Sequence, residues 1–315
     1  ESYRNLKLRS QEMENKFRMD VNQFVNGWKF SYGVMAQYVK YNTDLFNKIS
    51  SPYINENNIP VPEVNIQFKS AIEFFKVGAF GQISKNLFEN RVLVSMGLRT
   101  DGNTFMNTGL NLNKTLSPRL SASYHLNSQW DINASVGRYY KIPTYTALGF
   151  RNETGELSNQ SLQYLSSTHY VAGLQFLPNE ALRFTLEGFF KAYEGYPVSQ
   201  TNGSSLANLG SDFGSIGSES LISSGNGQTY GFEFFVQQKL IKRVFYVLSY
   251  TYVRSLYSGI EPKLIPSAWD NRHLISSTLG YKFKNEWSMG LKYRFSGGNP
   301  YTPFDTLASL RNYAL

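Results

Sequence analysis

Hydrophobic and polar residues alternate along extended stretches of the chain, most regularly in "HLISSTLGYKFKNEWSMGLKYRFSGG", residues 273–298. In its second half the apolar side chains occupy every other position: Trp287, Met289, Leu291, Tyr293 and Phe295. The first half alternates in the same way, and a short polar turn separates the two. A period of two predicts a β-strand with two chemically different faces. Both strands run to about ten residues or more, whereas a globular strand usually has about 5–6.

The same alternation predicts about twelve strands in six antiparallel hairpins. The hairpins are expected within residues 17–41, 70–101, 115–140, 166–193, 228–254 and 273–298. The first turns at Asn26-Gly27, a pair that favours a tight type I′ turn. The strand at 70–84 carries phenylalanine at both parities, so the sequence does not assign its faces.

Short turns and long links alternate between the predicted strands. The links are residues 42–69, 102–114, 141–165, 194–227 and 255–270. The Gly/Ser-rich segment 199–228 is predicted to be flexible and solvent-facing. Short turns at one end and long loops at the other are typical of an outer-membrane β-barrel. Ten residues tilted near 45° rise about 23 Å, close to the height of the apolar band of such barrels. We expect the turns on the periplasmic side and 199–228 outside the cell.

Aromatic residues lie at both ends of the predicted strands. Tryptophans stand where strands leave short turns, and tyrosines stand near the far ends: Trp28, Trp130, Trp287, Tyr38, Tyr140 and Tyr252. Aromatics at both ends of a spanning element form the interfacial girdles of membrane proteins. A soluble β-sandwich that uses these rings as its core is the alternative fold.

Composition narrows the class of protein. The 315 residues include 16% aromatics and no cysteine, and the absence of cysteine fits either the cytosol or the cell envelope. No apolar run approaches the roughly 18 residues of a membrane helix, so helical spanning is excluded. The net charge of +8 comes from scattered basic residues rather than a stripe, so we expect no nucleic-acid partner.

Two segments resemble a known family. "LSPRLSASYHLNSQWDINASVGRYYKIPTYTALG", Leu116–Gly149, is similar to a recurrent barrel segment of TonB-dependent outer-membrane receptors. "PSAWDNRHLISSTLGYKFKNEWSMGLKYRFSGGNPYTPFD", Pro266–Asp305, resembles a late-barrel hairpin of the same receptors, especially the forms common in Bacteroidota. The resemblance covers most of the chain as architecture and is confined to these two segments as sequence motif.

The resemblance implies a larger barrel than the predicted strands provide. Receptors of this family have twenty-two strands, a plug domain and a TonB-box peptide. We therefore expect residues 1–315 to form one outer-membrane barrel segment, with plug domain and closing strands absent from this sequence. An open sheet in lipid leaves unpaired backbone groups that cost several kcal/mol each, which also favours further strands.

The implied function is energy-coupled uptake of a scarce solute such as a metal chelate, a glycan or a peptide. The implied partners are outer-membrane lipid, a TonB-type energising complex engaged through the absent N-terminal region, and a surface lipoprotein. Two alternatives remain: a passive channel closed by about twelve strands, and a soluble β interaction domain.

Charged residues on the polar parity are expected to face the lumen. Near the bilayer midplane, Arg or Lys on the lipid face would cost about 2–4 kcal/mol, so these side chains must point inward. The predicted lumen-facing residues include Arg119, Arg183, Glu187, Lys292 and Arg294. They constitute either an ordinary charged barrel lining or a cationic passage suited to anionic solutes.

The two longest loops contain the candidate ligand-binding residues. Tyr145, Phe150 and Arg151 in 141–165 can stack on or pair with an anionic chelate, and Phe213 is the only aromatic in 199–228. Such loops can bind because their backbone is free of the ladder. The alternative is that they shield the barrel top or contact a partner protein.

Neither catalysis nor a bound metal or cofactor is expected. The three histidines, His125, His169 and His273, lie on separate hairpins without acidic or cysteine companions at ligand spacing. Nucleophilic catalysis needs a serine within hydrogen-bond reach of histidine, and Ser277 lies about 13 Å along the strand from His273.

Overall fold

The computed structural model describes residues 5–54, 59–209 and 217–301. Fifteen strands account for most of them: β1 (Leu6–Val25), β2 (Trp28–Ser50), β3 (Tyr53–Ile54), β4 (Pro60–Val61), β5 (Val64–Leu87), β6 (Val92–Asn103), β7 (Ser117–His125), β8 (Trp130–Lys141), β9 (Leu165–Asn179), β10 (Leu182–Ser199), β11 (Leu221–Ile241), β12 (Val244–Tyr257), β13 (Ile265–Pro266), β14 (Arg272–Lys282) and β15 (Ser288–Ser296). One short α-helix, α1 (Tyr145–Leu148), and two 3₁₀ turns lie between strands. None of the helices in these residues has the length and apolar character to cross a membrane.

The long strands form a single antiparallel sheet that follows chain order. Its thirteen strands run β1-β2-β5-β6-β7-β8-β9-β10-β11-β12-β14-β15, and β13 pairs with the end of β12. Because β3, β4 and β13 have two residues each, the prediction of twelve long strands in six hairpins is confirmed. The sandwich alternative is wrong, since the only other sheet in the described residues is the two-stranded β3–β4 pair. In that part of the chain β1 and β15 are the edge strands.

The ladder gives every strand two defined faces, because directly opposed residues point to the same side. One row passes through Val34, Ala79, Thr100 and onward to Val136 and Tyr170, and we call this side the outer face. The opposite side, the inner face, carries the residues between them, among them Arg18 and Arg99. The outer face is a field of large exposed apolar side chains, including Tyr32, Val34, Met96, Leu98, Leu120, Ile132, Leu174, Leu186, Phe232, Leu279 and Leu291.

Register settles the strand that the sequence left open. Phe75 opposes Tyr38 on the outer face and is 54% exposed, whereas Phe74 opposes Val39 on the inner face and is buried. The positive φ angles of Phe88, Glu89 and Asn90 form the turn that fixes this register. The two faces therefore alternate through β5 as they do elsewhere.

The aromatic residues predicted near the strand ends lie on the outer face. Trp28 and Trp130 are the first residues of β2 and β8. Asn26 and Gly27, both at positive φ, make the turn before Trp28, as the Asn-Gly pair predicts. Tyr38 and Tyr140 lie on the same face, each ten residues past the tryptophan of its strand. Tyr140 is near the end of β8, whereas β2 continues for twelve residues beyond Tyr38. We call the level of the tryptophans the turn end of the sheet, and the level of the tyrosines and everything beyond them the loop end.

The strands β2 and β5 extend far into the link predicted at 42–69, so that prediction is wrong. Beyond Tyr38 the polarity of the two faces is exchanged. The outer face becomes charged, with a salt bridge between Lys40 and Glu73, and the inner face becomes apolar and buried, with Leu45 and Ile72. Successive residues still alternate between the two faces, but the apolar residues now lie on the inner face and the polar residues on the outer face. The period-two pattern of the sequence is therefore broken at this point, although the strands continue.

In its described residues, 199–209 and 217–228, the segment 199–228 is not the solvent-facing loop that its composition predicts. β11 begins at Leu221, and Leu221, Ser199, Ser205 and Leu206 are all buried. The small residues of this segment allow close packing. Residues 210–216 lie outside the described part of the chain.

The face assignment can be tested with two adjacent residues of β10. Leu186 is on the outer face and 48% exposed, while Glu187 opposes Gly173 and Glu233 on the inner face. We expect Leu186→Arg to impair assembly, because arginine in the lipid midplane costs about 2–4 kcal/mol. Glu187→Arg should fold at the wild-type yield. Heat-modifiable gel mobility measures the folded fraction, and equal yields for both variants would contradict the assignment.

Candidate functional site

The loops at the loop end fold back over the inner face and share one buried hydrophobic cluster. We call this cluster the loop core. Its buried members are Val39, Tyr41, Ile72, Phe74, Met106, Ala147, Leu148, Leu162, Leu206 and Leu221. They come from β2, β5, β11 and three links, so no single link could form the cluster alone. At the loop end, these links therefore cover the inner face of the sheet.

Two fully buried asparagines join the loops to one another. The side-chain amide of Asn159 donates to the carbonyls of Ala147 (2.7 Å) and Glu219 (2.8 Å), and its oxygen accepts from the Leu221 amide (2.9 Å). One residue thus binds the α1 loop to the 199–220 link and to β11. A buried asparagine that satisfies its donors and acceptor in this way specifies one arrangement of the segments.

Asn103, at the end of β6, holds the neighbouring link. Its side-chain oxygen accepts from the amides of Phe105 and Met106, and its Nδ2 donates to the Tyr164 hydroxyl at 3.0 Å. Met106 enters the loop core directly after this turn. Residues 104–116 are therefore positioned by β6 and by Tyr164, the residue before β9.

An ion-pair network fastens the α1 loop to the strands below it. The Tyr145 hydroxyl donates to Glu14 (2.5 Å), and the Lys76 ammonium lies 2.9 Å from the same carboxylate and 2.6 Å from the hydroxyl. Lys16 approaches the other carboxylate oxygen at 2.6 Å. Glu14 lies beyond the ten strand residues, 16–25, that suffice to cross a bilayer. Hydrogen bonds from Lys16, then Tyr145 and Lys76, lower the pKa of Glu14 to about 2.

A cationic pocket lies beside this network on the inner face. It has a volume of about 280 Å³ and is lined by Lys76, Arg99, Arg119 and Lys141 together with Asp101 and several uncharged residues. Asp101 pairs with Arg99 at 2.6 Å. The Arg119 guanidinium stacks over the Tyr139 ring at 4.4 Å, which holds it in one orientation. The pocket has four cations and one acid, so it favours an anion.

The residues predicted to bind a ligand in the loops have different surroundings. The ring of Tyr145 packs against Phe74 and Tyr41, and Phe150 packs edge-on against Phe68 at 5.4 Å. Arg151 donates to the Gly155 carbonyl within its own loop. Phe213 lies outside the described residues. In this structure Tyr145 and Phe150 hold the loop in place, and their part in ligand binding stays a prediction.

The predicted lumen-facing residues all lie on the inner face. Arg119 is in the pocket just described. Glu187 lines a separate depression of about 310 Å³ rich in serine, and the Arg183 guanidinium lies over the Phe235 ring. Lys292 and Arg294 oppose Thr278 and Ser276 near the β15 edge. Of these five predicted residues, only Arg119 lines a pocket together with other cations.

Sequence reasoning missed Lys76 and Lys141 as members of this pocket. Lys76 lies in the strand whose faces were unassigned, and Lys141 is the last residue of β8. Lys76 could be assigned only from the structure, where the positive-φ turn at residues 88–90 sets the pairing of β5 with β6 and so places Lys76 on the inner face. Lys141 has the same parity in β8 as Gly137, which opposes Arg119, so extending the predicted strand by one residue would have placed it on the inner face.

The histidines have partners that the sequence did not predict. Asp131 opposes His125 in the ladder and bonds its Nδ1, which corrects the expectation that no acid accompanies a histidine. The Ser167 hydroxyl lies 3.0 Å from Nε2 of His169, so a serine–histidine pair does exist. Within the described residues no group of three or more His, Cys, Asp or Glu side chains could hold a metal ion.

Comparisons with known proteins agree with this architecture. The chain matches the family model described as "TonB dependent receptor-like, beta-barrel" over residues 2–315. No curated protein sequence matches the chain.

Solved structures show the same fold. A chain of the FpvAI–pyocin S2 complex is 16% identical with a TM-score of 0.63, over 93% of this chain and 40% of that one. The copper transporter OprC is 16% identical with a TM-score of 0.62, over 92% and 43%. The ferripyoverdine receptor of the outer membrane of Pseudomonas aeruginosa is 15% identical with a TM-score of 0.59, over 92% and 41%. The chain thus spans about two fifths of the length of these proteins.

The role of Asn159 can be measured by its removal. We expect Asn159→Ala to free the α1 loop from residues 217–221, because the buried groups left unpaired cost about 1–3 kcal/mol each. Limited proteolysis should then cut within 142–165 faster than in the wild type. Asn152→Ala is the matched control, since Asn152 bonds only residues 154 and 156 of its own loop tip. Equal cleavage of both variants would contradict this role.

The Glu14 network predicts a pH dependence of loop docking. Lys16 of the same strand contributes most to the lowering of the Glu14 pKa from 4.5 to about 2, and the Tyr145 hydroxyl of the loop contributes next. The part due to Tyr145 stabilises the docked loop above the ordinary pKa of the carboxyl, and it is lost as the pH falls toward 2. Since the chain has no cysteine, a spin label at Glu153→Cys reports loop mobility alone. The label should be immobile above about pH 5 and mobile near pH 2–3.

Glu14→Gln should leave the same label mobile throughout this range. Glu180→Gln, at the turn end, is the control and should keep the wild-type profile. A label whose mobility in the Glu14→Gln variant follows the wild-type pH profile would show that another group fastens the loop.

Proposed function

Because the chain belongs to the TonB-dependent receptor-like β-barrel family, we propose that it contributes part of the wall and the mouth of an energy-coupled solute transporter. The fold is a transmembrane antiparallel β-barrel and the location is the bacterial outer membrane. The observation that carries the proposal is the cationic pocket beneath loops that fold inward on a shared core. This arrangement suits capture of a solute at the mouth rather than free diffusion through it.

We further propose that additional strands complete the barrel. In the described residues β1 and β15 are edges, and unpaired backbone in lipid costs several kcal/mol per group. A wall of twelve long strands within a barrel of twenty-two accounts for both edges. It also agrees with the two-fifths coverage of the solved receptors.

The proposed solute is anionic. Lys76, Arg99, Arg119 and Lys141 line one pocket together with Asp101, and Lys76 also pairs with the neighbouring Glu14. Four cations against two carboxylates leave a positive field in the pocket. Several of the similar structures are described as receptors of ferric chelates, including a ferric-catecholate import receptor. A chelate of that charge type is compatible with the pocket. Energising would come from a TonB-type complex, and a surface lipoprotein is a further candidate partner.

Uptake by cells that depend on the full-length protein tests the proposal. Iron should be offered as ferric citrate and as a ferric catecholate, with a neutral maltooligosaccharide as the comparison solute. We expect uptake of an anionic chelate that stops when the TonB-type complex is deleted. Arg119→Gln should lower this uptake roughly tenfold, the effect of losing one charge-assisted hydrogen bond. Arg183→Gln, an inner-face cation outside the pocket, should not.

Each contrary result has a separate meaning. Uptake that persists without the energising complex would identify a passive channel. Uptake of the neutral sugar alone, or equal effects of Arg119→Gln and Arg183→Gln, would refute an anionic solute at this pocket.

A further inference from the structure

An open groove crosses part of the outer face. The groove has a volume of about 870 Å³ and spans six neighbouring strands, β2, β5, β6, β7, β8 and β9. Its walls are mainly apolar side chains of the outer face, including Tyr32, Leu98, Leu120, Val136 and Tyr170. At strand spacings of about 4.8 Å it is about 24 Å long.

Gly81 forms the floor of the groove. It opposes Tyr32 on one side and Leu98 on the other, so it interrupts a row of large side chains. A Cβ atom added at Gly81 would have no atom within 4 Å, and its φ is not in the left-handed region. The backbone therefore does not require glycine here. The missing side chain leaves space, and a larger residue would fill that space without strain.

The groove rises obliquely from an apolar end to a charged end. Near its low end Phe30 lies two residues past Trp28, about 5 Å above the turn end. Arg138 lies eight residues past Trp130, about 19 Å above that end, close to the level where the apolar band of a barrel finishes. An apolar groove that ends at a cation near the interface is complementary to an amphiphile with an anionic head group.

One terminal nitrogen of the Arg138 guanidinium, Nη1, is left for a further acceptor. Its bonds to Glu194 (2.7 Å) and to Ser166 (3.3 Å) both leave from Nη2. Its Nε is enclosed and has no hydrogen-bond partner among the described residues. The side chain is 38% exposed, and the Tyr140 ring lies 5.5 Å from the guanidinium carbon. The two bonds use both hydrogens of Nη2, so Nη1 is the nitrogen that can donate to a phosphate oxygen in a charge-assisted bond.

We propose that this groove binds a phosphate-bearing membrane lipid. An acyl chain lies along the groove over Gly81, and the phosphate accepts hydrogen bonds from Arg138 at the loop-end interface. The inference depends on the membrane location and on the outer face, not on the solute that the protein transports.

Native mass spectrometry of the full-length protein in detergent tests the proposal. The added probes are phosphatidylglycerol and a diacylglycerol with the same acyl chains. We expect the wild type to retain one phosphatidylglycerol, and to retain diacylglycerol roughly tenfold less. Arg138→Gln should reduce phosphatidylglycerol to the diacylglycerol level. Gly81→Leu should abolish retention of both lipids.

Two variants serve as matched controls. Lys40→Gln removes another ion-paired cation of the outer face, and Gly188→Leu fills another outer-face glycine, on β10 and outside the groove. Both should retain phosphatidylglycerol like the wild type, and all variants must show wild-type heat-modifiable mobility.

Several results would overturn the proposal. They are no retained lipid in the wild type, equal retention by Arg138→Gln and Lys40→Gln, or equal retention by Gly81→Leu and Gly188→Leu. If Arg138→Gln fails to fold, Arg138→Met replaces it. Loss of the preference for phosphatidylglycerol over diacylglycerol is then the expected result, because methionine offers no hydrogen-bond donor to the phosphate. Unchanged preference would again overturn the assignment.

Discussion

Backbone hydrogen bonding in lipid is the constraint on which this structure depends. A bilayer offers no water to an unpaired amide, so each strand must be paired along its whole spanning length. The antiparallel ladder from β1 to β15 satisfies this requirement between all neighbours. The ladder in turn forces side chains to alternate between two faces, and the environment of each face then selects its chemistry. The outer row around Val34 and Leu186 and the inner row around Arg99 and Glu187 are consequences of one pairing scheme.

The same pairing continues where the environment changes. Past Tyr38, the outer side of β2 and β5 meets water and the inner side meets folded loops. The Lys40–Glu73 ion pair therefore lies outside, and Leu45 and Ile72 are buried inside. Pairing and polarity are separate properties of these strands. The ladder determines which side a residue faces, and the medium on that side determines which residue is stable there.

The inward loops combine an apolar core with a charged pocket at close range. Tyr145 connects the two, since its ring packs on Phe74 of the core while its hydroxyl bonds Glu14 and Lys76, and Lys76 lines the pocket. Burial next to the Glu14 carboxylate raises the pKa of the Tyr145 hydroxyl, so it remains a donor. The position of the loop and the charge distribution of the pocket are thus coupled through one side chain. A solute that binds Lys76 would compete with the contacts that fasten the loop.

The sequence by itself determined the elements that depend on neighbours along the chain. Period-two alternation gave the long strands, the Asn26-Gly27 pair gave a turn, and parity placed Arg119, Arg183, Glu187, Lys292 and Arg294 on one face, where the ladder has them. Only the tertiary structure decided what depends on distant residues. Asn159 joins residues 147, 219 and 221, Lys76 meets Glu14 across two strand pairs, and Tyr145 enters a core built by several links. Local periodicity reports the medium on each side of a strand, but a loop takes its shape from groups far away in the chain, and those partners leave no periodic signal in the loop itself.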